Sequence, residues 1–284
     1  MITEPSPFLS VITSSLNRAA MIGAAVESVL SQGYSDFEHI IIDGGSTDGT
    51  LEVLEHYPHL KVISEADRGV YDAWNKGLAL AQGEVLTFLN SDDRWSQERI
   101  ADILALMQAD PSIDIITSGA AIYELTATGQ VHFKHHLGAL PADQIIISTL
   151  VRGTAFNSWF IRRRVFEKLG GFNLKYPLSA DLDFCFRAAL HPLNIRPVDR
   201  EIYYYFFHPD SLTFSYAPQK VYRGIVDTMI MCEDLLDGRL AVGVNRKYLK
   251  KLHRMLALRA TKREFLSGQW IKAIKTFWKM TQYL

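Results

Sequence analysis

Along this chain, short apolar runs alternate with longer stretches in which apolar residues recur every three or four positions. Residues 8–13 predict a brief buried strand. Over 18–31, Met21, Ile22, Ala25, Val26, Val29 and Leu30 fall on one helical face. Residues 38–42 predict a second strand, which runs into a loop, Asp43-Gly-Gly-Ser-Thr-Asp-Gly49. Ser46 or Thr47 can cap the helix that carries Leu51 and Leu54. Residues 61–64 predict a third strand. Tyr71, Trp74, Leu78 and Ala81 form the stripe of another helix, which Gly83 ends. A fourth strand is expected at 85–89, a helix at 97–107 that stops before Pro111, and a fifth strand at 113–117.

Such alternation with short links predicts an α/β fold with a mostly parallel sheet covered by helices on both faces. In sheets of this kind ligands bind beyond the carboxyl ends of the strands. Here those ends are Thr13-Ser14-Ser15, Asp43, Ser64-Glu65 and Asn90-Ser91-Asp92-Asp93, and each delivers polar or acidic side chains. The second half is less regular. It predicts a hairpin over 121–133 turning at Thr128-Gly129, a strand at 155–161, and a helix at 163–169 ended by Gly170-Gly171. A helix at 181–190 and a tyrosine-rich strand at 195–207 follow, and the chain reads as helical from 217 to its end.

Of the 284 residues, 48% are apolar and 21% charged, which supports a substantial core and argues against wholesale disorder. The net charge of -1 hides an asymmetry. Residues 245–284 hold eleven basic side chains against the single acid Glu264, a net +10, while the remainder carries -11. A segment of that kind meets an anionic surface or packs on its own acidic domain. Cys185 and Cys232 match no metal-ligand spacing and read as small apolar core residues. The first seven residues are not of signal-peptide type, and no apolar stretch reaches the ~18 residues of a membrane span. The expected location is the cytoplasm, with contact at the inner face of the cell membrane left open.

The cluster Asn90-Ser91-Asp92-Asp93 offers hard oxygen ligands of the kind that suit Mg2+ or Mn2+, which can bridge to phosphate. Taken alone, it is equally a turn or a helix cap. Four segments in order change its weight: Ser10-Val-Ile-Thr-Ser-Ser-Leu-Asn17, Ile40-Ile-Ile-Asp-Gly-Gly-Ser-Thr-Asp-Gly-Thr50, Asp67-Arg-Gly-Val-Tyr-Asp-Ala-Trp-Asn-Lys-Gly77 and Phe88-Leu-Asn-Ser-Asp-Asp-Arg-Trp95. Together they resemble family 2 of the glycosyltransferases, as found in bacterial surface-polysaccharide synthesis. Weaker likeness continues through Phe160-Ile-Arg-Arg163, Gly170-Gly-Phe-Asn173 and Ser179-Ala-Asp-Leu-Asp-Phe184 to about residue 215, and the tail lies outside it.

The resemblance implies a GT-A fold, a nucleotide-sugar donor, expected to be a UDP-sugar, and inversion at the anomeric carbon. By position, Thr13, Ser14 and Asp43 fall where the family contacts the nucleoside. Asp67 and Arg68 flank base or phosphate. Asn90 and Asp92 match the ends of the Asp-x-Asp motif, with Ser91 between them. Asp92 is then the first metal ligand, His208 stands near the diphosphate or metal, and Asp181 falls at the catalytic base. The acceptor implied is a glycan or lipid-linked saccharide.

Three positions depart from the pattern: Asn90 replaces an aspartate, Gly44 stands where many relatives have a second acid, and Ala180 replaces a glutamate. Simpler readings stand beside the functional ones. Asp43 and Asp181 can serve as caps, Asp183 competes with Asp181, and His208 can be structural. Tyr71, Trp74 and Phe88 read as core, whereas Trp95 and Trp159, near loops, are the better sugar platforms.

In the tail, Trp270, Ile274, Phe277, Trp278 and Tyr283 interleave with Lys272, Lys275 and Lys279, a pattern that suits an anionic membrane, the domain itself or a second copy. No nucleic-acid reader motif accompanies the charge. The division expected is a transferase domain over 1–215 and a basic helical extension over 216–284. Two rivals remain at this point. A nucleotidyltransferase would need a glycine- and lysine-rich phosphate loop, which Ser14-Ser-Leu-Asn-Arg18 is not. A binding module without catalysis would account for Asn90 and Ala180.

Overall fold

The structure is a computed structural model that describes residues 6–97, 99–126, 128–151, 155–208, 211, 218–237 and 246–281. Among these a nine-stranded sheet forms the centre. Its first half holds β1 (Leu9–Ser15), β2 (Phe37–Asp43), β3 (Leu60–Ser64) and β4 (Val85–Asn90), alternating with α1 (Ile22–Leu30), α2 (Thr50–Leu54) and α3 (Val70–Leu80). Then come β5 (Arg94–Trp95), α4 (Ile100–Ala109), β6 (Ile115–Leu125), β7 (Val131–Leu137), α5 (Ala142–Val151), β8 (Phe160–Arg162), α6 (Arg163–Leu169), α7 (Ala180–Leu190) and β9 (Ile195–Phe207). Three helices follow: α8 (Pro218–Leu236), α9 (Arg246–Leu266) and α10 (Trp270–Thr281).

The strand order is β3-β2-β1-β4-β8-β6-β9-β5, with β7 beside β6. The block β3-β2-β1-β4 is parallel throughout, as expected from its alternation with helices. Beyond it the sheet is mixed: β8 runs antiparallel to both β4 and β6, and β9 runs parallel to β6. Alternate residues of the central strands feed opposite faces. Ile12, Ile40, Ile42 and Phe88 pack into one core with α3, α6, α7 and α8, while Val11 and Leu89 join α1 and α4 on the other side.

Two glycines set how closely the elements approach. A Cβ on Gly77 would lie 2.4 Å from Ile12 Cγ2, so α3 sits against β1 only because that position is bare. A Cβ on Gly83 would lie 2.6 Å from the backbone nitrogen of Ser10. Gly77 thus sets how closely α3 lies on β1, and Gly83 how closely the turn into β4 lies on the start of β1.

The second half differs from its expected outline in three places. The strand expected at 155–161 is a 3-10 turn, Phe156–Ser158, followed by the short β8. The hairpin turns where expected, but its strands reach well beyond 121–133. Between the hairpin and the 3-10 turn, where no element was expected, lies α5. From the tail, α8 places Met231, Leu235 and Leu236 in the main core, and α9 adds Leu249. Cys185 and Cys232 are buried free thiols, in keeping with their reading as core residues.

Candidate active site

Parallel register pairs Ser14 with Asn90, so the polar ends of β1 and β4 lie side by side. A cleft of about 630 Å³ opens above them. It is lined by Ser14 to Arg18, Asp67 and Asn90 to Asp93, and by His135 and Leu137 of β7, Leu178, Asp181, Leu182 and Tyr205. The cleft therefore joins the parallel half of the sheet to the mixed half.

Asp181 lies in the first turn of α7, where the partial positive charge of a helix N-terminus favours a carboxylate. Its Oδ1 accepts a 2.6 Å hydrogen bond from the Tyr71 hydroxyl. Burial pushes this carboxyl above the usual range, and the Tyr71 hydrogen bond offsets part of that rise. Asp183, two residues on, faces elsewhere: it is buried and ion-paired with Arg187 at 2.8 Å. The segment leading into α7 is braced from behind by α8. Asp227 accepts the Leu178 N–H at 2.8 Å, and Asp234 accepts from Lys175 and the Tyr176 hydroxyl.

At the β4 end the two neighbouring aspartates divide. Asp93 turns inward, where it accepts hydrogen bonds from the Asn90 amide at 2.9 Å, the Tyr203 hydroxyl at 2.8 Å and the Phe206 N–H at 2.8 Å. Burial, together with the charge of Asp92, raises its carboxyl well above the ordinary range. Asp92 turns toward the cleft. Its Oδ2 lies 3.0 Å from His208 Nε2 and 3.6 Å from Arg18 Nε. His208 is buried, and its backbone N–H bonds to Ser211. Among the described residues no group of three or more His, Cys, Asp or Glu side chains is arranged to hold a metal ion. Mg2+ commonly takes one or two carboxylates, with water and phosphate completing the shell. Asp92 is a donor that fits such an ion. His208 Nε2 is hydrogen-bonded to it at 3.0 Å, a spacing that adjacent octahedral ligands about 2.1 Å from an ion also have.

Ser14, Asp67, Asn90, Ser91, Asp92 and Asp181 all line the cleft. Three expected contacts take other places. The Thr13 side chain is buried between strands, 2.9 Å from His39 Nε2. Burial pushes His39 down to about 3, so that imidazole is neutral. The Asp43 carboxylate is fully buried and builds its own turn, accepting from the Gly45 and Ser46 N–H groups and from the Ser46 and Ser64 hydroxyls. The Arg68 side chain is 75% exposed and pairs with Asp72.

At Gly44, a Cβ would lie 2.8 Å from Asp67 Oδ2, so a side chain there would displace the Asp67 carboxylate from its present place. Trp95 and Trp159 are corrected from sugar platforms to core, being almost wholly buried in opposite faces of the sheet. Proximity to a loop in sequence says nothing about which face of the sheet a ring meets. Tyr71 and Trp74 join the core, and they also form part of the cleft wall.

Three contributions were hidden in the sequence. Arg18 reaches Asp92, Tyr203 holds the β4 loop, and the Tyr205 hydroxyl donates to Asn157 at 2.6 Å. The one available signal was period-two spacing, which puts Tyr203 and Tyr205 on the same face of β9, with ring centroids 4.6 Å apart.

Compared with known families, residues 10–170, more than half of the chain, match the model of Glycosyl transferase family 2. The chain belongs to that family. The family 2 match covers the strand ends at Ser14, Asp67 and Asn90 to Asp92, whereas Asp181 and His208 lie beyond it. A PGL/p-HBAD biosynthesis glycosyltransferase of Mycobacterium bovis is 33% identical over 193 residues, 66% of this chain and 72% of that one. TuaG of Bacillus subtilis, a putative teichuronic acid biosynthesis glycosyltransferase, is 33% identical over 52% of this chain and 61% of its own.

Among solved structures, S. aureus TarS 1–349 in complex with UDP-GlcNAc superposes with a TM-score of 0.61 at 20% identity, covering 95% of this chain and 80% of that one. A Pyrobaculum calidifontis mannosyltransferase in complex with GDP-Man and Mn2+ superposes at 0.59 and 17% identity, over 96% and 74%. The fold is therefore the GT-A arrangement of glycosyltransferases. This family 2 chain is a glycosyltransferase related to enzymes of polysaccharide biosynthesis.

Proposed function

We propose that this glycosyltransferase moves a sugar, with inversion, from a UDP-sugar to a hydroxyl of a glycan or lipid-linked acceptor in bacterial surface-polysaccharide synthesis. The observation that carries the reading is that Asp181 and Asp92 line one cleft, with the buried His208 hydrogen-bonded to Asp92. Support for the donor comes from the UDP-GlcNAc complex of TarS, and support for a metal from the Mn2+ complex of the mannosyltransferase.

In this reading Ser14, Asp67, Asn90 and Ser91 hold the nucleotide at the β1/β4 end. Asp92 and His208 hold Mg2+ or Mn2+, which supplies positive charge against the diphosphate. The acceptor enters at the Asp181 end. Its hydroxyl oxygen bonds to the anomeric carbon as its proton passes to the Asp181 carboxylate. The bond from that carbon to the leaving phosphate oxygen breaks, and its electron pair departs with the nucleoside diphosphate. A base on one side of the sugar and a leaving group on the other is the geometry of a single displacement. Arg18, beside Asp92, adds a second positive charge near the leaving group. We place the reaction in the cytoplasm, at the inner face of the cell membrane when the acceptor is lipid-linked.

The test is thermal stabilisation of the purified chain by UDP, GDP, dTDP and CMP, each with and without Mn2+. A ligand that binds only the folded state raises the Tm by mass action. The expected result is a Mn2+-dependent rise with UDP that is lost in Asp92→Ala. No rise with any nucleotide overturns the reading. Anomeric analysis of the product from a matching UDP-sugar then decides inversion.

A further inference from the structure

The outer face of the last two helices is more apolar than the reaction requires. On α10, Ile271 is 74% exposed, Trp278 70%, Ile274 68% and Trp270 56%, and Phe277 is also exposed. The residues that pack on the protein are small: Ala273 is buried and Thr276 half-buried. At about 100° per residue, the helix divides into three sectors. Phe277, Trp270, Ile274, Trp278 and Ile271 span about 120°, Lys275, Lys279 and Lys272 take the next 60° or so, and the docked side fills the rest. A helix that served only to pack on its domain would turn its large rings inward.

The neighbouring helix continues the surface. Met255, Leu258, Phe265 and Leu266 are exposed on α9, and Lys251, Arg259 and Lys262 lie exposed on the same face. Phe265 meets Trp270 edge to face with centroids 4.2 Å apart, which joins the two faces into one. Lys279 is ion-paired with Glu233 and Lys272 lies over the Tyr222 ring, so Lys275 of α10 with Lys251, Arg259 and Lys262 of α9 supplies the outward positive charge. Large rings beside these cations, on a segment of net +10, match the boundary between lipid headgroups and acyl chains, with the basic side chains at the phosphates. Charge disfavours a symmetric pair of these faces, since a two-fold contact sets like segment against like. No helix among the described residues is long and apolar enough to cross a membrane, so the attachment is in the plane of the surface.

We propose that the outer faces of α9 and α10 form an interfacial binding surface for an anionic lipid bilayer. The proposal is independent of the reaction, because vesicle binding and sugar transfer are measured separately. The test is co-sedimentation of the full chain with vesicles of phosphatidylcholine alone and of phosphatidylcholine mixed with phosphatidylglycerol. Binding is expected to the mixed vesicles only, and to weaken as salt is raised. Ile271→Ser with Trp278→Ser is expected to lower binding roughly tenfold or more, and Lys275→Glu to lower it without touching the apolar sector. Circular dichroism and Tm establish that each variant is folded. Absence of binding by the folded wild-type chain overturns the proposal. So does equal binding to both vesicle types, or a concentration-dependent dimer abolished by the same substitutions.

Discussion

The Tyr71 hydroxyl donates a 2.6 Å hydrogen bond to Asp181, joining residues 110 positions apart in the chain. The carboxylate sits where burial disfavours its charge, and the phenol is the group that steadies it. Asp181 therefore holds a proton more readily than an exposed aspartate, which suits the general base of the proposed reaction.

Asp181→Asn is expected to reduce transfer by about 10²–10⁴-fold and to raise the Tm. A raised pKa in the folded state means that stability is greatest below the unfolded aspartate pKa and falls as pH rises through the folded value. The amide carries no charge at any pH and keeps an oxygen for Tyr71. A Tm below wild type at neutral pH would contradict this account.

Tyr71→Phe removes a hydrogen bond to the ionised form, so the Asp181 pKa rises further. The acidic limb of kcat/KM against pH is expected to move to higher pH, with the plateau largely kept. A limb at its wild-type position would mean that some other group is the base.

Asp92 and Asp93 are adjacent but predicted to fail differently. Asp93→Ala strands three donors, from Asn90, Tyr203 and Phe206, each costing about 1–3 kcal/mol when buried without a partner. Urea denaturation is expected to show a loss of about 3 kcal/mol or more. Asp92→Ala removes one hydrogen-bond partner, that of His208 Nε2, so a smaller cost of about 1–3 kcal/mol is expected, together with loss of the Mn2+-dependent nucleotide shift.

Asp227 touches the Leu178 backbone, three residues before Asp181. Asp227→Ala is expected to lower kcat about tenfold by misplacing the base, since small misplacements are costly in rate, while KM for the donor stays near wild type. Asp227→Asn retains an acceptor oxygen and is expected to restore kcat. Equal losses in both variants would point to a structural role alone.

Gly83→Ala brings a methyl within 2.6 Å of the Ser10 backbone nitrogen, in a central strand that has no room to move. The expected cost is about 1–3 kcal/mol, read from the shift in urea midpoint.

The parallel half of this protein follows from its local pattern of apolar and polar residues. Apolar runs such as 8–13 and 85–89 can be strands only if both faces are covered, and their polar ends must then gather at one edge. That local logic was enough to bring Ser14, Asn90 and Asp92 to one cleft. Which way the side chains turned once they arrived depended on contacts in three dimensions. Asp92 and Asp93 carry the same chemistry one residue apart, and the strand beside them, with Tyr203 on its inner face, draws one inward and leaves the other to the cleft. Thr13 and Asp43 are absorbed by His39 and by a turn, partners that no periodicity announces. Asp181 reaches the site through α7, steadied by Tyr71 from α3 and braced by α8 through Leu178. These are contacts between segments far apart in the chain. Their energies depend on packing in three dimensions, and a one-dimensional pattern of apolar and polar residues does not encode them.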